Sequence, residues 1–280
     1  MIRGLAYAAV GLLMGLSGRT TLAQEPTAYR SPYRVEFATP LAELVGDLEI
    51  AGRGDPHRQA SIPFEDWYSP ATLRRWRAWG PAPRHYPAPS GFDGWSVERR
   101  RERVVAAALR FQGYAYQHHH IPDWDPPAGW PWLESCAGRN GRGVDCSNLT
   151  GFAFNLGCGL RINTDVAKQA EGRVAEGPGR HVTPLHVVEL PAAYDDRVKA
   201  LRTGDLLFIR SRAGAISHVV LWVGPIGRSP DGVPLVLDSH GADTRDSAGQ
   251  LIPCGVHLRP FRKDSWYNGS ASHALRAFPD

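Results

Sequence analysis

Lysine is nearly missing from this chain. Three of its 32 basic residues are lysine, at Lys168, Lys199 and Lys263, and the rest are arginine. No dense basic run interleaved with aromatics occurs, so the sequence offers no nucleic-acid-binding patch. The formal net charge of +4 is modest, and two of those charges, Arg3 and Arg19, lie in the first 23 residues. Long apolar runs are scarce too. Beyond residue 23 none approaches the roughly 20 apolar residues of a membrane-crossing helix, so the mature chain should hold no integral membrane segment. Cysteine is limited to Cys136, Cys146, Cys158 and Cys254, and no Cys-x-x-Cys pair suggests a structural zinc. No internal repeat is visible, which excludes solenoids and propellers.

The chain begins MIRGLAYAAVGLLMGLSGRTTLAQEP. A basic residue, a short apolar run over Leu5–Leu16 and small residues near Thr21–Ala23 predict a cleaved export signal over residues 1–23. No cysteine stands at the cleavage point, which argues against a lipoprotein. The expected location is the periplasm or the extracellular space, where spare thiols tend to pair. Three thiols remain beside Cys146, and the spacings do not choose a pairing among Cys136, Cys158 and Cys254.

Residues 24–92 read as an extension rich in aromatics and proline. Trp67, Trp76 and Trp79 lie within it, and Trp95 and Trp124 follow. A free tail lacks such residues, so the stretch is expected to pack on the folded domain and to wall its groove. Short helices are expected near Thr39–Leu48 and Pro70–Ala78. The catalytic domain is placed at residues 93–280. Within it "SVERRRERVVAAALRFQG" predicts a helix with Ser96 as N-cap and Gly113 as its stop. A second helix is predicted from Ser147 to Leu156, ended by Gly157, and a third over "TDVAKQAEGR". The second half changes period. "GDLLFIR", "SHVVLWVG", "PLVLDSHG", "GVHLRPF" and "HALRAF" read as strands of an antiparallel sheet, giving an α+β fold.

The chemistry centres on "GRGVDCSNLTGF". A cysteine in the first turn of a helix meets the positive end of the helix dipole and free N–H groups, which favour its thiolate. Asp145 can cap that helix. A thiol nucleophile needs a base, and His218 at the entrance of its strand is the candidate. The base needs a third group to fix its ring. Asp238 and His240, two apart on one strand, face the same side and compete for the role. In an antiparallel pair one strand's entrance faces its neighbour's exit, which favours His240, with Asp238 as the alternative.

These segments resemble the NlpC/P60 family of cysteine peptidases. Asp145-Cys146-Ser147 matches the family's Asp-Cys-Ser entering a helix, Gly204-Asp205-Leu206-Leu207-Phe208 its Gly-Asp strand, and Ser217-His218-Val219 its Ser-His-Val strand. Gln169 is the counterpart of a Gln on the helix after the nucleophile. The resemblance covers roughly residues 100 to 280 and implies a papain-like core. It implies Cys146 as nucleophile, His218 as base and Tyr116 near the oxyanion and substrate. The implied activity is cleavage of peptidoglycan stem peptides, often at the γ-D-glutamyl bond to a diamino acid, with no cofactor. Asn148 stands where the family usually has Gly, and an insertion falls near residues 175–200. A CHAP-type amidase or transferase on the same core, and a wall-binding module without catalysis, are the competing classes. His118, His119 and His120 raise the question of a metal. Successive side chains of an extended chain cannot all point one way, so groove lining or a hydrogen-bonded loop is expected and no metal is assigned. His181, His186 and His257 are expected at the surface or packed.

Overall fold

The computed structural model describes residues 29–50, 85–116, 144–177 and 181–280. The export signal, the helix expected at Pro70–Ala78, the His118–His120 run, Cys136 and four of the five tryptophans named above lie outside them.

A six-stranded, wholly antiparallel sheet forms the centre. Its strands are β4 (His186–Glu189), β5 (Leu206–Arg210), β6 (Ile216–Trp222), β8 (Leu235–His240), β11 (Gly255–Pro260) and β12 (Ala271–Arg276). The order across it is β11-β8-β6-β5-β12-β4. Period-2 alternation divides the strand side chains between two cores. Leu206, Phe208, Val219, Leu221, Leu235 and Leu237 face one, and Leu207, Ile209, Val220, Trp222 and Val236 face the other. Because both faces are buried, the strands read as continuous apolar runs. Each predicted strand is present.

The first core is covered by α3 (Val97–Leu109) and α4 (Cys146–Cys158). Ser96 caps α3 as expected, its hydroxyl accepting from the Arg99 amide at 3.2 Å. Helix α4 is buried along its whole length. It runs past Gly157 and ends at Gly159, whose φ of 66° suits a left-handed C-cap. Gly157 is instead a contact residue. A Cβ there would lie 3.1 Å from the Ala107 Cβ, and its carbonyl accepts from Arg103 Nε at 2.7 Å. The stop predicted at Gly157 therefore fails because the missing side chain serves helix packing. Next comes α5 (Val166–Glu171), capped by Asp165. The insertion near 175–200 forms a two-stranded ribbon, β2 (Val174–Glu176) with β3 (Val182–Pro184), then β4 and α6 (Tyr194–Ala200). The remaining short pieces are β7 (Gly227–Arg228), β9 (Thr244–Arg245), β10 (Leu251–Ile252) and α7 (Trp266–Gly269).

The described part of the extension packs on α3. It contains β1 (Arg34–Val35), paired with β7, and α1 (Leu41–Val45) and α2 (Asp47–Ile50). Tyr33, Leu44, Val45, Leu48 and Tyr86 join the first core. Helix α3 hides charges beneath this segment. The Glu102 carboxylate accepts from the Ala38 and Thr39 amides at 2.6 and 3.0 Å. Arg103, fully buried, donates to both Asp47 oxygens at 2.5 and 2.8 Å and to the Leu44 carbonyl. Without this segment the buried charges of Glu102 and Arg103 lose these partners, and an uncompensated buried charge destabilises a fold. A chain beginning at residue 93 should therefore unfold at markedly lower urea concentration than one beginning at residue 24. Equal midpoints would show that these contacts do not hold the domain together.

Candidate active site

The site forms where the start of α4 meets the sheet. Asp145 caps the helix: its Oδ1 accepts from the Asn148 amide at 2.8 Å and from Asn148 Nδ2 at 3.0 Å. That second bond is one that Gly at position 148 could not make. Ser239 on β8 donates to the Val144 carbonyl at 2.5 Å, and the Val144 amide donates to Ala115 at 3.0 Å. The helix start is thereby tied to the sheet on one side and to the Tyr114–Tyr116 segment on the other. Gln169 braces the first turn from α5. Its amide donates to the Ser147 carbonyl at 3.2 Å and the Asn163 carbonyl at 2.6 Å, and its oxygen accepts from Thr150 at 3.0 Å. At 1 % exposure it is a buried brace.

Cys146 sits in that first turn as a free thiol, with its side chain against the His218 imidazole. His218 Nε2 lies 2.8 Å from Asp238 Oδ1, and Asp238 is wholly buried. Burial by itself would pull the proton off His218. The Asp238 carboxylate and the Cys146 sulfur oppose that and prevail, so its pKa stands well above the usual 6.5. Burial likewise works against ionised Asp238, and the positive charge of His218 overrides it, holding the carboxyl at about 2. The second oxygen of Asp238 accepts from the Tyr267 hydroxyl at 2.6 Å. Burial, then the neighbouring carboxylate, keeps that phenol protonated well above the ordinary range.

His240 is not the group at the His218 nitrogen; Asp238 is. The pairs Leu221↔Leu237 and Trp222↔Val236, continued along the ladder, bring His218 level with His240. The two rings do meet, edge to face, with centroids 5.6 Å apart. The Nδ1 of His240, however, is turned to its own chain, 2.7 Å from the Ala242 oxygen and 3.1 Å from its amide. Being level across the ladder gives a ring contact, whereas the carboxylate reaches diagonally to the nitrogen. Burial, the largest influence on His240, lowers its pKa. Tyr116 is brought to the same end of β8, its ring over Gly241, where a Cβ would lie 3.4 Å away.

Sequence reasoning passed over Trp266 and Tyr267. Trp266 is 42 % exposed and lies 5.3 Å from the His218 ring and 5.7 Å from His240. Adjacent aromatics on a Ser-capped turn between two strands were the available signal. The Gly-Asp strand proves structural: Asp205, buried, holds Arg276 through both oxygens at 2.9 and 2.6 Å. Cys158 is a free thiol at the far end of α4, and burial pushes its pKa up to about 12. Cys254 is disulfide-bonded. His181 and His186 are exposed, and His257 is half-buried, held by burial and then Arg259 at about 4. Among the described residues no three His, Cys, Asp or Glu side chains are grouped to hold a metal. Nor is any helix among them long and apolar enough to cross a membrane.

Residues 135–240 match the NlpC/P60 family model. That stretch of the chain is similar to the NlpC/P60 family. Its helices followed by an antiparallel sheet form an α+β fold. Among solved structures, an NlpC/P60 family protein of Bacillus cereus ATCC 10987 is 17% identical, with a TM-score of 0.34. The match covers 69% of this chain and 42% of that one, so this chain aligns with about two fifths of the Bacillus protein. The P60 domain of the Mycobacterium avium subspecies paratuberculosis antigen MAP1204 is 22% identical over 66% of this chain and 98% of its own, at a TM-score of 0.36. RipD of Mycobacterium tuberculosis is described as a non-catalytic NlpC/p60 domain protein adapted to peptidoglycan binding. It is 18% identical over 63% of this chain and 96% of its own, at a TM-score of 0.37. No curated relative matches the chain.

Proposed function

We propose that this protein is an exported cysteine endopeptidase of the NlpC/P60 type that hydrolyses peptidoglycan stem peptides at the γ-D-glutamyl bond to a diamino acid. One observation carries the reading: a thiol at a helix N-terminus touches an imidazole whose other side is paired with a buried carboxylate. A wall-binding module has no need of that arrangement. With Nε2 taken by Asp238, Nδ1 is the nitrogen left to exchange a proton with the thiol. His218 takes the Cys146 proton, and the thiolate attacks the amide carbonyl. Backbone N–H groups at the start of α4 receive the oxyanion, with Tyr116 beside them. The His218 imidazolium then protonates the leaving amine. Water, deprotonated by His218, hydrolyses the acyl-enzyme and frees the thiol. Asp238 holds the ring in register and stabilises its positive form throughout. No step requires a cofactor.

The deciding experiment incubates the protein with purified peptidoglycan and with defined stem peptides and identifies products by mass. Fragments ending at D-glutamate support the proposal. Release of whole stem peptides from the glycan would assign an amidase instead, and retention on the wall without any product would assign a binding module.

A further inference from the structure

We propose that Tyr267 is a positioning residue for the reactive pair, the fourth member of a line running Cys146, His218, Asp238, Tyr267. The inference rests on the thiol–imidazole reading above. Asp238 is wholly buried and divides its two oxygens, Oδ1 to His218 Nε2 at 2.8 Å and Oδ2 to the Tyr267 hydroxyl at 2.6 Å. A buried carboxylate needs a charge or a donor at each oxygen, and an imidazole at one with a hydroxyl at the other leaves it a single orientation. Tyr267 is thus what aims Oδ1 at the imidazole.

The tyrosine is itself rigidly held. It lies in α7, whose N-cap Ser265 accepts from the Asn268 amide at 3.3 Å. Arg197 of α6 reaches across to grip the same turn, donating to the Asn268 carbonyl at 2.5 Å and its side-chain oxygen at 2.7 Å. Asn268 Nδ2 in turn donates to the Lys263 carbonyl at 2.6 Å. The next residue back, Trp266, lays its ring against His218, so one short turn both aims the carboxylate and screens the imidazole from water. Among the described residues, the groups acting on the pair come from four elements. Cys146 on α4 and Asp238 on β8 raise the pKa of His218; His240 on β8 touches its ring; Arg259 on β11 acts on Asp238 through its charge. Tyr267 supplies the donor to Asp238 Oδ2.

Removing the hydroxyl leaves Oδ2 without its donor and frees the carboxylate to turn away from the ring. In Tyr267→Phe the His218 imidazole, followed by NMR in the full chain, should lose its proton at lower pH than in the unaltered protein. The rate of Cys146 alkylation by iodoacetamide at mildly acidic pH should fall about tenfold, in line with loss of one hydrogen bond to a charged group. In the unaltered protein the Tyr267 hydroxyl proton should appear downfield, and its shift should follow the His218 titration. That measurement stands even where the variant does not fold. A hydroxyl proton exchanging as freely as an exposed phenol's overturns the inference. So does an unmoved His218 titration in Tyr267→Phe when Asp238→Asn moves it. A titration that neither variant moves overturns the pairing of the imidazole with Asp238, and this inference with it.

Discussion

Cys146→Ala should abolish hydrolysis of stem peptides, lowering kcat/KM by more than about a thousandfold, while the protein melts close to the unaltered temperature. In the proposed mechanism the loss is large because the sulfur forms the covalent intermediate, and no neighbour can replace it. Ser147, next in the chain, donates its hydroxyl to the Thr164 carbonyl at 2.6 Å and is tied away from any substrate. The other free thiol, Cys158, lies at the opposite end of α4, about 18 Å away at 1.5 Å per helical residue. Its pKa near 12 leaves it uncharged in neutral solution. The fold should survive because one small atom is removed at a helix start already held by Asp145 and Ser239. Steady-state kinetics on a defined peptide, with circular dichroism to confirm folding, test it. Substantial turnover by a folded Cys146→Ala protein sinks the mechanism.

Asp238→Asn should cost about a hundredfold to a thousandfold in rate and move the basic limb of the pH–rate profile to lower pH. The direction follows from charge. The carboxylate is one of the influences holding His218 protonated above 6.5, so its loss lets the proton leave sooner. Asparagine preserves the shape and still accepts from Tyr267, so the fold should hold. Stability carries a matching signature. Asp238 titrates at about 2 when folded, below the usual 3.8. Its contribution is therefore present above pH 3.8 and lost as pH falls through about 2. His218 is raised, so its contribution is complete below 6.5 and lost as pH rises through its folded value. The stability gap between unaltered protein and variant should thus be widest between about pH 4 and 6.5 and narrow on either side. Denaturation midpoints across pH measure that gap. His240→Ala should lose far less rate, since its ring nitrogen serves the Ala242 backbone. Should His240→Ala lose more rate than Asp238→Asn, the third role belongs to His240 after all.

Much of this protein was determined by local sequence. Ser96, Asp145 and Asp165 announce three helix starts because a short acceptor before an apolar-periodic run satisfies otherwise unpaired amides. The strand segments announce themselves because both faces of the sheet are buried, which demands unbroken apolar runs. The proposed nucleophile and base were legible for the same reason: a cysteine at a capped helix start and a histidine at a strand entrance are local patterns.

What only the tertiary structure decided are choices between chemically equivalent neighbours and contacts across long separations. Gly157 and Gly159 are both credible helix stops. Packing against Ala107 on α3 consumes the first, and the backbone turns at the second. Asp238 and His240 share a strand face, and sequence spacing cannot say which one reaches a ring nitrogen two strand positions away. The structure decides through side-chain reach, and through one partner two residues away and another remote in sequence. Ala242 binds the histidine, and Tyr267, 29 residues beyond Asp238, binds the carboxylate. Such a partner leaves no periodic trace in the chain, because its placement depends on α7 folding back over the sheet and not on any local preference for helix or strand.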